Sequence, residues 1–281
     1  MLNLLGNKKK YYFLAGLPRS GNTVLSSVLN QNSILQVSAN SSLINIIEFV
    51  ESQKRNSDRL FFNFPDHKSM DDCLSGIFDS YYKSWTGNYI IDRGPWGIDS
   101  GLSLLENYCP NADDLKFICP VRDLNQILAS WLVHYHRTAT IDLRYEDVVL
   151  DCIKNKLMRH GGMIYHALWS VKNLSQPKYK DRVYFMHYDN FCNNPQGELN
   201  NIYDFLGIKR YKHDFNNIGR FEANGVKYID NVSSDLMGIY YVKPTVEKRN
   251  HPVDEVLPLE IRQQYKDFTV DNYKDLVFDF S

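Results

Sequence analysis

The sequence contains no C-x-x-C pair, no run of eighteen apolar residues and no surplus of either charge. Each absence removes a class of protein. The five cysteines, Cys73, Cys109, Cys119, Cys152 and Cys192, are odd in number and scattered, which argues for free thiols in a reducing compartment and against a disulfide framework. Without an apolar run of membrane length there is no candidate transmembrane helix. The opening "MLNLLGNKKKYYFLAG" starts apolar, but Lys8, Lys9 and Lys10 interrupt it, and it lacks the order of a signal peptide. The expectation is a soluble, cytoplasmic protein. Thirty-two basic residues face 33 acidic ones, a net charge of −1, so no broad nucleic-acid surface is expected and any polyanion has to be met by a local cluster.

What is present suffices for a core. At 281 residues and 43% hydrophobic, the chain needs neither disulfides nor metals to fold, and one domain spanning 1–281 with insertions is the natural expectation. Short apolar runs alternate with helical patterns. "YYFLAGL" (11–17), "YIID" (89–92), "LKFICPV" (115–121) and "RVYFMHY" (182–188) read as buried strands. Helical spacing occupies 20–31, 124–137, 155–174 and 195–206. In 124–137, Ile127, Leu128, Trp131, Leu132 and Tyr135 form one stripe. Pro195 opens the last helix and Gly207 closes it. Strands separated by helices predict an α/β fold of three layers, a central mainly parallel sheet flanked by helices. Ligands in such sheets sit at the carboxyl ends of the strands. Residues 53–76 and 209–238 fit this frame poorly and are expected as irregular cap insertions over the substrate site.

A further absence is local. In "FLAGLPRSGNTVLSSVLNQN" (13–32), Gly16, Gly21 and Thr23 satisfy the phosphate-loop frame G-x-x-x-x-G-K-[ST], but Asn22 stands where the lysine belongs. The strand–turn–helix context is nevertheless that of an anion site, because successive N–H groups and a helix N-terminus face one point. Arg19 supplies a fixed fork of donors beside Ser20, and Thr23 adds a hydroxyl. An ordinary ligand-free turn is the competing reading. A second anchor is "FICPVRDLNQILASW" (117–131): a strand ends, Arg122 follows, Asp123 can cap the next helix, and Ser130 lies two turns in. Alone, Arg122 would read as an ion pair and Ser130 as a small packing residue.

Taken together, the two anchors resemble the cofactor motifs of the sulfotransferase family. "GLPRSGNTVLSSVLNQN" is similar to that family's 5′-phosphosulfate loop, which brings in Pro18 beside Arg19, Ser20, Gly21, Asn22 and Thr23. "VRDLNQILAS" is similar to its 3′-phosphate motif, with Leu124 in place of the usual proline. "MHYDNFCNNPQGELNNIYDFLGI" (186–208) resembles a third segment, with Asp189 where glutamate is usual, and 239–265 resembles the tail of bacterial and phage-type members. The resemblance implies a P-loop-like fold and the donor 3′-phosphoadenosine-5′-phosphosulfate (PAPS), giving adenosine 3′,5′-bisphosphate (PAP), with no metal required. It implies that Arg19 and the loop backbone hold the phosphosulfate, that Arg122 and Ser130 grip the 3′-phosphate, and that Tyr188 and Lys243 lie at the nucleotide. The acceptor would be a hydroxyl, or an amine, on a small molecule, glycan or peptide.

Sulfuryl transfer also needs a base. In "IIDRGPWG" (90–97), Asp92 and Arg93 leave a strand at its carboxyl end, and "PDH" (65–67) offers His67. Arg93, Asp92 and His67 are therefore the catalytic candidates beside Arg19. His134 and His136, two apart on a helix, face different directions and make no metal site. Two other readings stay open here: an ATP-dependent small-molecule kinase, which would want a lysine at position 22, and a non-catalytic nucleotide-binding protein. The aromatics Phe61, Phe62, Phe64, Phe221 and Tyr228 could stack on an acceptor or build the cap's own core.

Overall fold

Aromatic and β-branched runs become neighbouring strands in the computed structural model, which describes residues 9–55, 59–219, 221–228, 242–266, 268 and 272. In chain order the elements are β1 (Lys10–Leu14), α1 (Asn22–Leu29), β2 (Leu35–Asn40), α2 (Leu43–Arg55), α3 (Arg59–Asn63) and α4 (His67–Tyr81). There follow β3 (Tyr89–Arg93), α5 (Asp99–Tyr108), β4 (Phe117–Val121), α6 (Leu124–Arg137), α7 (Glu146–Asp151), α8 (Met163–Leu174), β5 (Val183–His187), α9 (Tyr188–Asn193) and α10 (Pro195–Leu206). The hairpin β6 (Glu222–Ala223) and β7 (Val226–Lys227) and the short helices α11 (Val253–Val256) and α12 (Leu259–Gln264) complete the described chain.

Five strands form one sheet in the order β2-β3-β1-β4-β5, and every pairing in it is parallel. A parallel sheet must be covered on both faces, and strand alternation divides its side chains between two cores. Tyr11, Phe13, Ile90, Phe117 and Cys119 enter one core together with residues of α2, α4, α5, α6 and α8. Tyr12, Leu14, Ile91, Ile118 and Met186 enter the other, against α1, α9 and α10. The chain leaves β1 toward β2 and β3 on one side and later crosses to β4 and β5 on the other, so the switch point lies at the carboxyl end of β1, where crevices open in such sheets.

Differences from the sequence reading are local. The strand β2 had no counterpart in it, and neither did α2, α4 or α5. The stretch 53–76, expected to be irregular, is helical over most of its described residues, as the end of α2, α3 and the start of α4. Its polar look has a simple cause: α4 buries only Leu74 and Phe78, so most of its surface is solvated. Within 209–238 the described part is irregular apart from the β6–β7 hairpin, and residues 229–238 lie outside the described residues. Among the described residues, no helix is long and apolar enough to cross a membrane.

Candidate active site

The loop between β1 and α1 is held open by its own side chains. Gly16 passes so close to β4 that a Cβ there would lie 2.3 Å from Pro120 Cδ and 2.7 Å from Pro120 N, which only glycine tolerates. Ser20 is fully buried; its hydroxyl donates to the Leu17 carbonyl and to Pro120 O at 3.0 Å. Asn22 Nδ2 donates to Leu17 O at 2.7 Å. Both side chains brace the turn from within, and Asn22 does so from a place on the lining of the crevice. Asn22 is a loop strut, and a lysine could not make that bond while extending into the crevice.

The bracing presents other groups outward. Arg19 adopts a positive φ of 62°, and Gly21 one of 87°. The left-handed region costs a non-glycine residue roughly 1–2 kcal/mol, and such strain persists where the surroundings enforce it. At Gly21 a Cβ would come 3.1 Å from the Tyr188 ring, so this position is closed to larger residues on both counts. No side chain caps α1 at Gly21, which leaves the positive end of the helix facing the crevice.

A cleft of about 380 Å³ opens there, lined by Pro18, Arg19, Gly21, Asn22 and Thr23 from the loop, Asn40 and Arg93 from the ends of β2 and β3, and Arg122 beyond β4. Ser130, Trp131, Met163, Tyr188, Phe191, Cys192 and Tyr228 add walls, and the segment from Lys243 to His251 contributes Lys243, Thr245, Val246, Glu247, Arg249 and His251. Among the described residues, a chain of net charge −1 thus concentrates four arginines and a lysine in one hollow with a single glutamate in its lining.

Arg19 and Arg122 meet across this cleft. Arg122, 5% exposed, donates through Nη1 to Arg19 O at 3.0 Å and through Nη2 to Gln126 Oε1 at 3.3 Å and to the Arg249 carbonyl. Its guanidinium lies 4.2 Å from the centre of the Tyr188 ring, a cation–π contact. Burial lowers its pKa from the ordinary arginine value. Arg19 Nε donates to Ser130 Oγ at 2.9 Å, linking the β1–α1 loop to the second turn of α6. That helix begins where Asp123 Oδ1 accepts from Gln126 N at 2.8 Å, a side-chain N-cap worth about 1 kcal/mol. The Tyr188 hydroxyl accepts from Arg249 N at 2.9 Å, and Lys248 pairs with Asp189 at 2.7 Å, so α9 anchors the C-terminal segment over the cleft. Lys243 forms an ion pair with Glu247.

On the other side of the loop, Arg93 Nη1 donates to Thr23 Oγ1 at 3.2 Å. Its neighbour Asp92 points the opposite way, as strand alternation requires. Asp92 is 0% exposed and accepts from Trp96 Nε1 at 2.6 Å and from the Tyr82 hydroxyl, with Ser41 also favouring its charged form. Burial pushes its pKa up to about 6 against the pull of those donors. Asp92 is absent from the cleft lining: the structure buries this carboxylate away from the cleft, whereas the sequence reading expected it at the mouth. His67 is a second correction: it is exposed at the start of α4, 4.9 Å from the Phe61 ring centre, and absent from the cleft lining. Of the five aromatics proposed for stacking, Tyr228 lines the cleft, Phe221 is buried in the core beside α1, and Phe62 and Phe64 are 76% and 75% exposed. Among the described residues, no group of three or more His, Cys, Asp or Glu could hold a metal ion.

Sequence reasoning missed Gln126, Arg249 and His251. Gln126 carried a readable signal, one turn into α6 after the strand-end arginine; the other two depend on the path of the tail.

Comparisons with known proteins agree with this architecture. A family model described as "Sulfotransferase family" matches residues 12–213. Among solved structures, a mouse sulfotransferase complexed with PAP shares 13% identity over 93% of this chain and 83% of its own, with a TM-score of 0.54, a likeness of fold. A sulfotransferase from Alicyclobacillus acidocaldarius shares 15% identity over 74% of this chain and 84% of its own, with a TM-score of 0.47. One from Mycobacterium avium shares 13% over 73% of this chain with a TM-score of 0.42, and this chain spans 65% of its length. No curated protein matches the sequence.

Proposed function

We propose, because the chain belongs to the sulfotransferase family, that it transfers a sulfuryl group from PAPS to a hydroxyl or amine acceptor. The observation that carries the reading is the convergence of Arg19 and Arg122 on one cleft, which both of them line. A donor with phosphate at both ends of its ribose needs two cationic grips a fixed distance apart, and ATP does not.

The residues fit such a donor. The uncapped start of α1 and the strained loop at Arg19 offer N–H groups to a 5′-phosphosulfate. Arg122 and Ser130 provide a buried fork and a hydroxyl for the 3′-phosphate, and the Tyr188 ring backs the same guanidinium. Lys243 lines the cleft and adds a charge from the tail. When bound, PAPS supplies an activated sulfuryl group whose departure leaves negative charge on a phosphate oxygen. Arg19 is tethered at Ser130 and Arg93 at Thr23, so both guanidiniums are fixed before a ligand arrives, and preorganised charge is where electrostatic catalysis gains most. The mouth beyond Arg93, Asn40 and Met163 would take the acceptor, a small molecule, glycan or peptide.

Arg122→Ala tests the assignment. It should weaken PAP about 100-fold, the equivalent of two charge-assisted hydrogen bonds, and leave adenosine 5′-phosphate within a few-fold. Equal losses for both nucleotides would refute the 3′-phosphate role.

A further inference from the structure

One cleft residue has no part in the reading above. His251 lines the hollow, and its backbone is registered against α6 by a single amide: His251 N donates to Gln126 Oε1 at 2.9 Å, and Gln126 Nε2 donates to His251 O at 3.4 Å. The same Gln126 Oε1 accepts from Arg122 Nη2 at 3.3 Å. One side chain therefore fixes the histidine and the buried arginine in a common frame. Pro252, which follows and caps α11, further restricts how the tail can turn there.

The imidazole sits in a field of fixed positive charge. Arg19, Arg122 and Arg249 line the same cleft, and their charges, with that of Arg137 in the last turn of α6, act on the imidazole. Burial, and then these four guanidiniums, lower its pKa to about 4, so it is neutral near pH 7 in the free protein. Glu247, the one acidic lining residue among the described residues, is already paired with Lys243. An arginine cannot change its charge on binding, but this histidine can. A dianion seated among the guanidiniums cancels the part of the depression that their field adds to burial, and an imidazolium beside it gains a charge-assisted N–H bond.

We propose that His251 is a proton-accepting ligand of the 3′-phosphate subsite: when a bisphosphate nucleotide binds, its imidazole takes one proton from solvent and donates to the phosphate beside Arg122 and Ser130. This rests on the PAP-binding reading. The proton comes from buffer, no covalent bond breaks, and release of the nucleotide returns the proton. Gln126 acts as a positioning residue, holding His251 in reach.

Calorimetric titration of the whole protein with PAP near pH 7, in two buffers of different ionisation enthalpy, measures the linked proton directly and needs no variant. Net uptake is expected. The phosphates of PAP, with second pKa values near 6, would by themselves release protons on binding, so the sign separates protein from ligand. His251→Gln should abolish the uptake and weaken PAP about tenfold, one charge-assisted bond, while leaving adenosine 5′-phosphate unchanged. PAP binding with no uptake, or His251→Gln within twofold of the parent for PAP, overturns the proposal and leaves the sulfotransferase reading standing. No PAP binding at all overturns both.

Discussion

The buried carboxylate at the end of β3 gives a quantitative test of how the mouth of the cleft is built. Asp92 is completely enclosed and is ringed by Trp96 Nε1 at 2.6 Å, the Tyr82 hydroxyl and Ser41. Its folded pKa is about 6 against a reference of 3.8. Because the value is raised, the folded state keeps the proton that the unfolded chain has already lost between these two pH values. Stability from this group is therefore fully present below the lower value and declines as pH rises to the upper one. At about 1.4 kcal/mol per unit, the full loss is about 3 kcal/mol. Asp92→Asn cannot titrate, yet its Oδ1 can accept from Trp96 and its Nδ2 can donate to the Tyr82 oxygen. Urea unfolding of both proteins from pH 4 to 7.5 should show the parent losing about 2–3 kcal/mol relative to the variant, while the variant keeps its affinity for PAP. Parallel stability curves would refute the desolvation argument. A variant that unfolds at every pH would show that the carboxylate's charge is needed, against the reasoning here.

Other perturbations follow from the same geometry. Gly16→Ala drives a Cβ to 2.3 Å from Pro120 Cδ and should cost about 1–3 kcal/mol, read as a lowered urea midpoint together with weaker PAP binding. Tyr188→Phe keeps the ring under Arg122 but removes the acceptor for Arg249 N–H; a loss of about 1 kcal/mol should appear as faster proteolysis within 242–251 with the core unaffected. Asn22→Lys, which restores the phosphate-loop frame in sequence, should destabilise the loop and should not create ATP binding, because Asn22 Nδ2 braces Leu17 O at 2.7 Å; nucleotide titration with and without magnesium checks it.

Much of this was legible in the residues because local and global signals coincided. The runs behind β1, β3, β4 and β5 are apolar on both faces, as a buried parallel strand must be, and α10 has the bounds that Pro195 and Gly207 announce. β2 carried a short readable signal, Leu35, Val37 and Ala39 alternating with Gln36, Ser38 and Asn40, that the sequence reading passed over; its place at the sheet edge is a tertiary fact. α4 was hidden by its broad polar face. At the site, glycine spacing and strand-end arginines marked the loop and Arg122. The inward bonds of the Ser20 and Asn22 side chains were not legible, because sequence does not show whether a hydroxyl or amide turns inward. Asp92 and Arg93 were paired as mouth residues, although adjacent strand residues point to opposite faces, so only one of them could reach the cleft. His251 was out of reach because nothing local ties it to Gln126, 125 positions earlier.

The central claim is that this cleft is shaped for a nucleotide phosphorylated at both 3′ and 5′ positions. Thermal unfolding in the presence of PAP and a metal chelator tests it most directly. At a ligand concentration of about 100 Kd the stabilisation is about 2.7 kcal/mol, a rise of several degrees in Tm, with ATP and magnesium giving a clearly smaller shift. A larger shift with ATP and magnesium than with PAP would contradict the account.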